Sequence, residues 1–139
     1  MGIDFEILAR RAVACKHWRW MLGMRQLVSS NRAPYRVVCD GYAPPEDDSF
    51  VMAECGDPEI IPDMRDPATL GCLLALVREA WGCPIICVSH YAGKWWLDLL
   101  GDDAAYGLTV TDSIVSALAT LDAAELEVAV LVAALEAAP

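Results

Sequence analysis

The sequence predicts an α+β fold in which antiparallel hairpins pack against helices, in the order α-β-β-α-β-β-α. Apolar residues recur at helical spacing near both ends and in the middle of the chain, and β-rich segments with turn signals lie between them. The length of 139 residues predicts a single domain spanning 1–139. An apolar fraction of 56 % is enough for a core and excludes a mainly disordered chain.

The first half of the chain predicts one helix followed by two strands. Residues 3–15 have apolar residues at helical spacing, and Arg10 and Arg11 lie toward the C-terminal end, where the helix dipole favours cations. Residues 35–42 and 49–54 are β-rich and predict a hairpin with a long connection. Residues 55–67 contain three prolines and predict irregular chain.

The middle helix, predicted over 67–81, has the clearest signals. Asp66 is a suitable N-cap, and Pro67 occupies the first helical position, where a missing N–H costs nothing. Gly82 and Pro84 end the helix. The apolar residues at three- and four-residue spacing are Leu70, Leu73, Leu74, Val77 and Trp81, and the first four of these are expected to be buried.

A helix-hairpin-helix half is predicted over 66–138. Its strands, 85–89 and 94–99, flank a turn at Tyr91-Ala92-Gly93. The last stretch, 111–138, predicts either one long helix or two helices with a break near Asp122, where a second capping-box pattern begins.

The net charge is −10, and the charged residues are distributed unevenly along the chain. The basic N-terminal segment, residues 1–36, carries seven basic and two acidic residues, whereas 37–139 carry three basic and 18 acidic residues. The basic segment either docks on the acidic remainder or faces an anionic partner. Docking is favoured, and direct nucleic-acid binding is disfavoured, because the acidic remainder repels phosphate.

Neither a membrane span nor a secretory signal is expected from the sequence. The longest uncharged run in the middle of the chain, 80–93, is too short for a bilayer and contains Pro84. Charged residues occupy the N-terminal positions where a signal would be apolar. We therefore expect a cytoplasmic, reducing location and six free thiols rather than a disulfide framework.

Three segments carry a resemblance to a known group of proteins. KHWRWMLGM (16–24), DPATLGCLLALVREAWG (66–82) and LVAALEAAP (131–139) resemble small uncharacterised proteins of tailed bacteriophages and prophages. Residues 66–138 are also weakly similar to the phage α-β-α sandwich domain. The resemblance implies a phage origin and a place in the host bacterial cytoplasm, and it brings no catalytic residues with it.

Catalytic and metal-binding patterns are weak in this sequence. Cys83-x3-Cys87 is half of a zinc site without a second half. Sequence neighbours seldom form a nucleophile–base pair, and acidic pairs in turns are usually solvated. We expect no catalytic residue, no metal and no cofactor. The pairs weighed for catalysis are Cys15–His17, Ser89–His90, Asp47–Asp48 and Asp102–Asp103.

Five tryptophans are the most informative side chains. Trp95 and Trp96 lie on opposite faces of one predicted strand, so only one of them can face a helix layer. The other is either covered by the N-terminal HWRW segment or exposed as a binding surface, since Trp and Arg are prominent in binding hot spots. The candidate binding residues are Trp18, Arg19, Trp20, Trp95 and Trp96.

The C-terminal helix is apolar around most of its circumference, which requires burial on all sides. A single hairpin layer covers only one side. A two-fold homodimer covers the rest, and the alternative is a helix enclosed within one subunit. The expected interface residues are Val128, Leu131, Val132 and Leu135.

Two functions follow from these patterns. The first is a non-enzymatic phage accessory protein that binds and modulates a host or host-defence protein, one version of it using an acidic surface that imitates nucleic-acid charge. The second is a small-molecule-binding or sequestering protein with a nucleotide-like ligand held between the hairpin and the helices.

Overall fold

The α+β class is confirmed by a computed structural model that describes residues 4–28, 35–39, 50–52, 60–99 and 126–139. Helices and two groups of strands alternate along the chain as predicted, and the first group contains four strands rather than two. The elements are α1 Phe5–Val13, β1 Arg25–Val28, β2 Tyr35–Cys39, β3 Phe50–Met52, β4 Ile60–Pro62, α2 Pro67–Trp81, β5 Ile86–Tyr91, β6 Lys94–Leu99 and α3 Glu127–Ala137.

The first four strands form one sheet in the order β3-β2-β1-β4. β1 is antiparallel to both β2 and β4, whereas β2 and β3 run parallel. The segments 35–42 and 49–54, which were expected to form an antiparallel hairpin, therefore contain neighbouring strands that run parallel. Their connection, 40–49, lies outside the described residues.

Two of these strands lie in segments that were not predicted as strands. β1 follows the HWRW segment and contains Gln26, which is 1 % exposed, so the strand lacks the apolar–polar alternation of a half-buried strand. β4 lies within the proline-rich segment predicted to be irregular. Pro62 is tolerated there because β4 is an edge strand, where a missing N–H breaks no ladder.

Helix α1 begins at its N-cap Asp4, whose carboxylate accepts from the N–H groups of Glu6 and Ile7. The helix packs against β4. Its buried residues are Leu8, Ala9 and Ala12, while Ile7, one of the apolar residues at helical spacing within 3–15, is 56 % exposed. Two of the three buried residues are alanines. The buried face of α1 therefore differs from the face that its larger apolar side chains, such as Ile7, predict.

The start of α2 is fixed by a buried hydrogen-bond network. The Asp66 carboxylate accepts from the Thr69 N–H at 2.9 Å and from its hydroxyl at 3.0 Å, which confirms Asp66 as the N-cap. The Thr69 hydroxyl oxygen accepts in turn from the Arg25 N–H at 2.9 Å. The side chain of Arg25 also approaches Asp63 at 3.8 Å. Arg25, a residue of the basic N-terminal segment, therefore contacts Thr69 and Asp63, which lie C-terminal to that segment.

The end of α2 lies where the sequence predicts it. Gly82 has φ +62°, and the Cys83 N–H donates to the Arg78 carbonyl, so the helix ends in a Schellman-type turn that suits glycine. The buried face of α2 differs in part from the prediction. Leu70 and Leu74 are only half-buried. The most buried apolar residues of α2 are Leu73, Leu76, Val77 and Trp81.

Contacts divide the chain into two compact units, here called the first unit (Met1–Leu73) and the second unit (Leu74–Pro139). The boundary falls inside α2, which is continuous across it. The first unit contains the four-stranded sheet and α1. The second unit contains the β5–β6 hairpin, which is a two-stranded sheet, and α3, which packs against β6.

Helix α3 begins one residue after Leu126, whose φ of −122° and ψ of 139° are extended. A single helix through 111–138 is therefore excluded. Residues 111–125, including the capping pattern at Asp122, lie outside the described residues. Among the helices that the structure describes, none has the length and apolar character required to cross a bilayer.

Candidate functional site

Two of the tryptophans proposed for binding lie in the first unit and form part of its packing. Trp20 is 7 % exposed, and its ring meets that of Trp18 edge-on, with centroids 5.5 Å apart. Trp18 is half-buried, and Arg19 between them is exposed. Trp20 is therefore a core residue, which corrects its prediction as a binding residue. An edge-to-face pair of this kind stabilises a core without needing a ligand.

The two faces of the β5–β6 hairpin differ in exposure, and the less exposed face contains the buried Ile86 and the half-buried Val88 and Trp95. Directly opposite residues of an antiparallel pair share a face, and the pairs include Ser89 with Trp96 and His90 with Trp95. Trp95 is half-buried and contacts the His90 ring at 4.9 Å between centroids. Trp96 is 39 % exposed. The prediction that Trp95 and Trp96 lie on opposite faces is confirmed.

The exposed side of the hairpin, here called the outward face, consists of Cys87, Ser89, Tyr91, Lys94, Trp96 and Asp98. Tyr91 is 74 % exposed and is the most exposed of the large apolar side chains in the described part of the chain. The Trp96 indole N–H donates to the Tyr91 carbonyl at 3.0 Å, which holds the indole across the hairpin. The outward face therefore presents a tryptophan whose indole is held by a hydrogen bond, a highly exposed tyrosine and an exposed lysine.

The turn that holds these side chains is a two-residue connection between Tyr91 and Lys94. Both of its central residues have positive φ, 54° at Ala92 and 76° at Gly93, as a type I′ turn requires. Such turns match the right-handed twist of the strands, and the strands are paired up to Tyr91 and Lys94 beside the turn. Ala92 is strained there because its Cβ disfavours the left-handed region.

Ala92→Asn should therefore stabilise the second unit. Asparagine tolerates the left-handed conformation, and Asn-Gly is a favoured type I′ pair, so we expect the free energy of unfolding to rise by about 1 kcal/mol. Denaturant unfolding followed by tryptophan fluorescence measures the change. Ala92→Val is the matched control and should lower stability, because a β-branched residue at positive φ is more strained. Equal midpoints for the two variants would contradict the turn assignment.

Ser89 and His90, one of the pairs weighed for catalysis, lie on opposite faces of β5. Ser89 lies on the outward face, whereas His90 lies on the other face beside Trp95. Their side chains therefore point apart, which does not suit a nucleophile–base pair. Burial raises the pKa of the Cys87 thiol, the nearby Asp98 carboxylate raises it further, and the Arg78 guanidinium lowers it in part. A raised pKa keeps the thiol protonated, opposite to the shift that activates a nucleophilic cysteine.

The cysteines and acidic residues do not gather into a metal-binding cluster in the described ranges, where no group of three or more His, Cys, Asp or Glu is placed to hold a metal ion. Cys83 is buried and Cys87 is half-buried in β5. Neither of them forms a disulfide, and neither do Cys15 and Cys72, whose thiols donate to the Arg11 and Leu22 carbonyls. Cys39 has no described side chain, and Cys55 lies outside the described residues.

The four residues expected at a dimer axis are already buried within one chain. Their exposed fractions are between 0 % and 3 %. Helix α3 packs against β6, and the Trp81 indole N–H donates to the Ala134 carbonyl at 2.9 Å. The helix is thus enclosed by its own chain, which was the alternative interpretation, and the physical reason for a two-fold axis at Val128, Leu131, Val132 and Leu135 is removed.

A cavity of about 200 Å³ lies in the first unit between α1 and the β1–β4 pair. Apolar side chains such as Phe5, Leu27 and Ile61 line it, together with Glu6 and Arg65. The Arg65 guanidinium lies over the Phe5 ring, 5.0 Å from its centre. This volume is below the roughly 300–1,000 Å³ of pockets for drug-sized ligands, so the cavity fits a ligand smaller than a nucleotide.

The chain was compared with known proteins at three levels. No protein-family model matches it, and no significant match was found among curated proteins or solved structures. The resemblance to phage proteins consequently stays a prediction.

Proposed function

We propose that this chain is a non-enzymatic protein-binding module that contacts its partner through the outward face of the β5–β6 hairpin. The observation that carries this proposal is the joint exposure of Tyr91, at 74 %, and Trp96, at 39 %, on one face of a hairpin that is paired up to its turn. Tyrosine and tryptophan are the residue types enriched in binding hot spots, because they bury a large area with little loss of conformational entropy.

The polar groups around these rings favour a protein partner. Lys94 lies directly opposite Tyr91, and Asp98 lies further along the same face. In protein interfaces aromatic side chains are enriched in the core and polar or charged side chains form the rim, and the outward face has both. A phosphate-rich ligand is disfavoured, because the net charge of the whole chain is −10.

The phage resemblance extends this proposal to a particular kind of partner. The partner would be a host or host-defence protein in the cytoplasm of an infected bacterium. In one version the acidic surface imitates nucleic-acid charge and strengthens the contact. Exposed charges are screened beyond about 8–10 Å at physiological ionic strength, so binding driven by mimicry should weaken steeply as salt rises. Binding driven by the aromatic rings should change little.

Trp96→Ala and Tyr91→Ala should each weaken binding to the partner by at least about 30-fold, the effect of losing a hot-spot side chain. Full-length protein is immobilised, bacterial lysate is passed over it, and the retained proteins are quantified by mass spectrometry. Leu22→Ala is the matched control, since Leu22 is an apolar residue of the first unit that is 55 % exposed. A partner retained equally by all four proteins, wild type included, would contradict the proposal.

A small-molecule-binding function is the second candidate, and the cavity beside α1 is the observation in its favour. Arg65 over Phe5 offers a cation next to an apolar wall, which suits a small anion with an apolar part. Calorimetric titration with benzoate, as a probe of that chemistry, should show binding that Arg65→Ala removes. Absence of heat at millimolar benzoate would count against this candidate.

A further inference from the structure

One edge of strand β5 is not paired with another strand in the part of the chain that the structure describes, where β5 pairs only with β6. The sequence of β5, ICVSHY, contains no proline, lysine, arginine or acidic residue. Such residues are the usual means by which proteins prevent edge strands from pairing with another chain. The edge strand β4 of the other sheet carries Pro62, so the two sheets differ in this protection.

The hydrogen bonds at Ile86 identify which backbone groups point outward from this edge. The Ile86 N–H donates to the Cys83 carbonyl, and the Ile86 carbonyl accepts from Arg78 Nε at 2.6 Å. Both groups therefore point away from β6. Because backbone groups alternate between the two sides of a strand, those of Val88 and His90 also point away from β6.

The free part of the edge is consequently short and defined at both ends. Arg78 and Cys83 occupy the groups of Ile86, and the turn begins after Tyr91. Between these limits Val88 and His90 offer two N–H donors and two carbonyl acceptors, which no other described residue takes up. His90 is exposed and Val88 is half-buried.

We propose that a second copy of this chain pairs with this edge, antiparallel about a two-fold axis that passes through Ser89. In this register Val88 lies opposite His90 of the partner subunit, and the arrangement is reciprocal, as a two-fold interface requires. All four free groups of each chain are then satisfied by four interchain hydrogen bonds. A shift of the register by two residues in one direction places Val88 opposite its own copy and His90 opposite Ile86, whose backbone groups are already bonded. A shift in the other direction places Val88 opposite the turn, so in both cases some of the free N–H and carbonyl groups have no partner.

The pairing would join two hairpins into one four-stranded sheet. Cys87 would lie opposite Tyr91 of the partner subunit on the outward face, which partly covers the side chain that is 74 % exposed in one chain. Ser89 would face its own copy across the axis. This interface is separate from helix α3, whose apolar residues are buried within each chain.

The Ser89 position gives a direct chemical test. Ser89 pairs with Trp96 through the ladder to β6, so across the new edge it occupies a non-hydrogen-bonded pair, in which the Cα atoms are about 4.5 Å apart. This separation suits a disulfide. Ser89→Cys should therefore give a covalent dimer under mild oxidation, with the 89–89 linkage identified by peptide mass spectrometry.

Two controls make this test specific. Lys94→Cys places a thiol at the end of β6, away from the axis, and should not link. The native Cys87 should not link to its copy either, since the two would be about 13 Å apart along the strands. Failure of Ser89→Cys to link, or equal linking by Lys94→Cys, overturns the proposal.

Val88→Pro tests the hydrogen bonds without a new thiol. Proline removes an outward N–H that the β5–β6 ladder does not use, so the hairpin should be retained. Wild type should sediment as a dimer at micromolar concentration, and Val88→Pro should raise the dissociation constant about 10-fold or more, because one hydrogen bond is lost from each copy. Val88→Ala keeps the N–H and should remain dimeric. A monomeric wild type, or equal dissociation constants for the two variants, overturns the proposal.

This inference does not depend on the proposed protein-binding function. Its readouts are molecular mass and a residue-specific disulfide in the purified protein, with no other protein added. Loss of partner capture in Trp96→Ala tests the outward face alone. The two proposals can therefore fail separately.

Discussion

Leu131→Glu should unfold the second unit. Leu131 is fully buried, with an exposed fraction of 0 %, at the centre of a helix whose neighbours Val130 and Val132 are also buried. An unpaired carboxylate at such a site costs at least several kcal/mol, against a total stability of roughly 5–15 kcal/mol for a domain. We expect loss of near-ultraviolet circular dichroism and of the cooperative thermal transition.

Ala137→Glu is the matched control for this substitution, because Ala137 lies on the same helix and is exposed. It should change the free energy of unfolding by less than about 0.5 kcal/mol, as surface substitutions usually do. A folded, monomeric Leu131→Glu protein would show instead that Leu131 lies at a subunit interface, as the sequence pattern suggested.

Trp81→Ala should lower the free energy of unfolding by about 3–5 kcal/mol, the range for removing a large aromatic side chain from a core. Trp81 is 7 % exposed near the end of α2, and its indole N–H donates to the Ala134 carbonyl of α3 at 2.9 Å. The substitution therefore removes both packing and the hydrogen bond that joins the two helices. Urea unfolding monitored by circular dichroism measures the loss.

Trp81→Phe separates the two contributions. Phenylalanine fills much of the volume but leaves the Ala134 carbonyl without its donor, for a cost of about 1–3 kcal/mol. Trp95→Phe is a control of the same chemistry at a half-buried position. If Trp81→Phe were as stable as wild type, the hydrogen bond to α3 would contribute nothing to the folded state.

Helix α2 was predictable at both ends because independent local signals agree there. Asp66 caps the first turn, Pro67 suits the first position, and Gly82 adopts the positive φ that ends the helix. Each of these signals acts within a few residues of the chain. The same holds for β6, whose bounds follow from the turn at Ala92-Gly93.

The first sheet was predictable only in part because its stability comes from contacts distant in sequence. β1 is the central strand that β2 and β4 flank, yet it contains Arg25 and the buried polar residue Gln26. The direction in which β2 meets β3 depends on tertiary packing, since a strand pattern is the same for parallel and antiparallel neighbours.

At the candidate site, too, the features set by local sequence could be predicted, whereas those set by tertiary packing could not. Alternation along a strand correctly placed Trp95 and Trp96 on opposite faces. Nothing in the residue types distinguishes Trp20, which is buried, from Trp96, which is exposed. Similarly, the apolar character of α3 indicated burial on all sides, but composition does not say whether the same chain or a second copy encloses a helix.

The boundary inside α2 has a consequence for cooperativity. Cutting between Leu73 and Leu74 leaves helical segments of seven and eight residues, shorter than the ~12–15 residues at which isolated helices become even marginally stable in water. Each segment would then depend on packing within its own unit, through Thr69 and Leu73 in the first unit and Trp81 in the second. The boundary itself consists of hydrogen-bonded helix rather than an open linker, so we expect limited proteolysis to spare it.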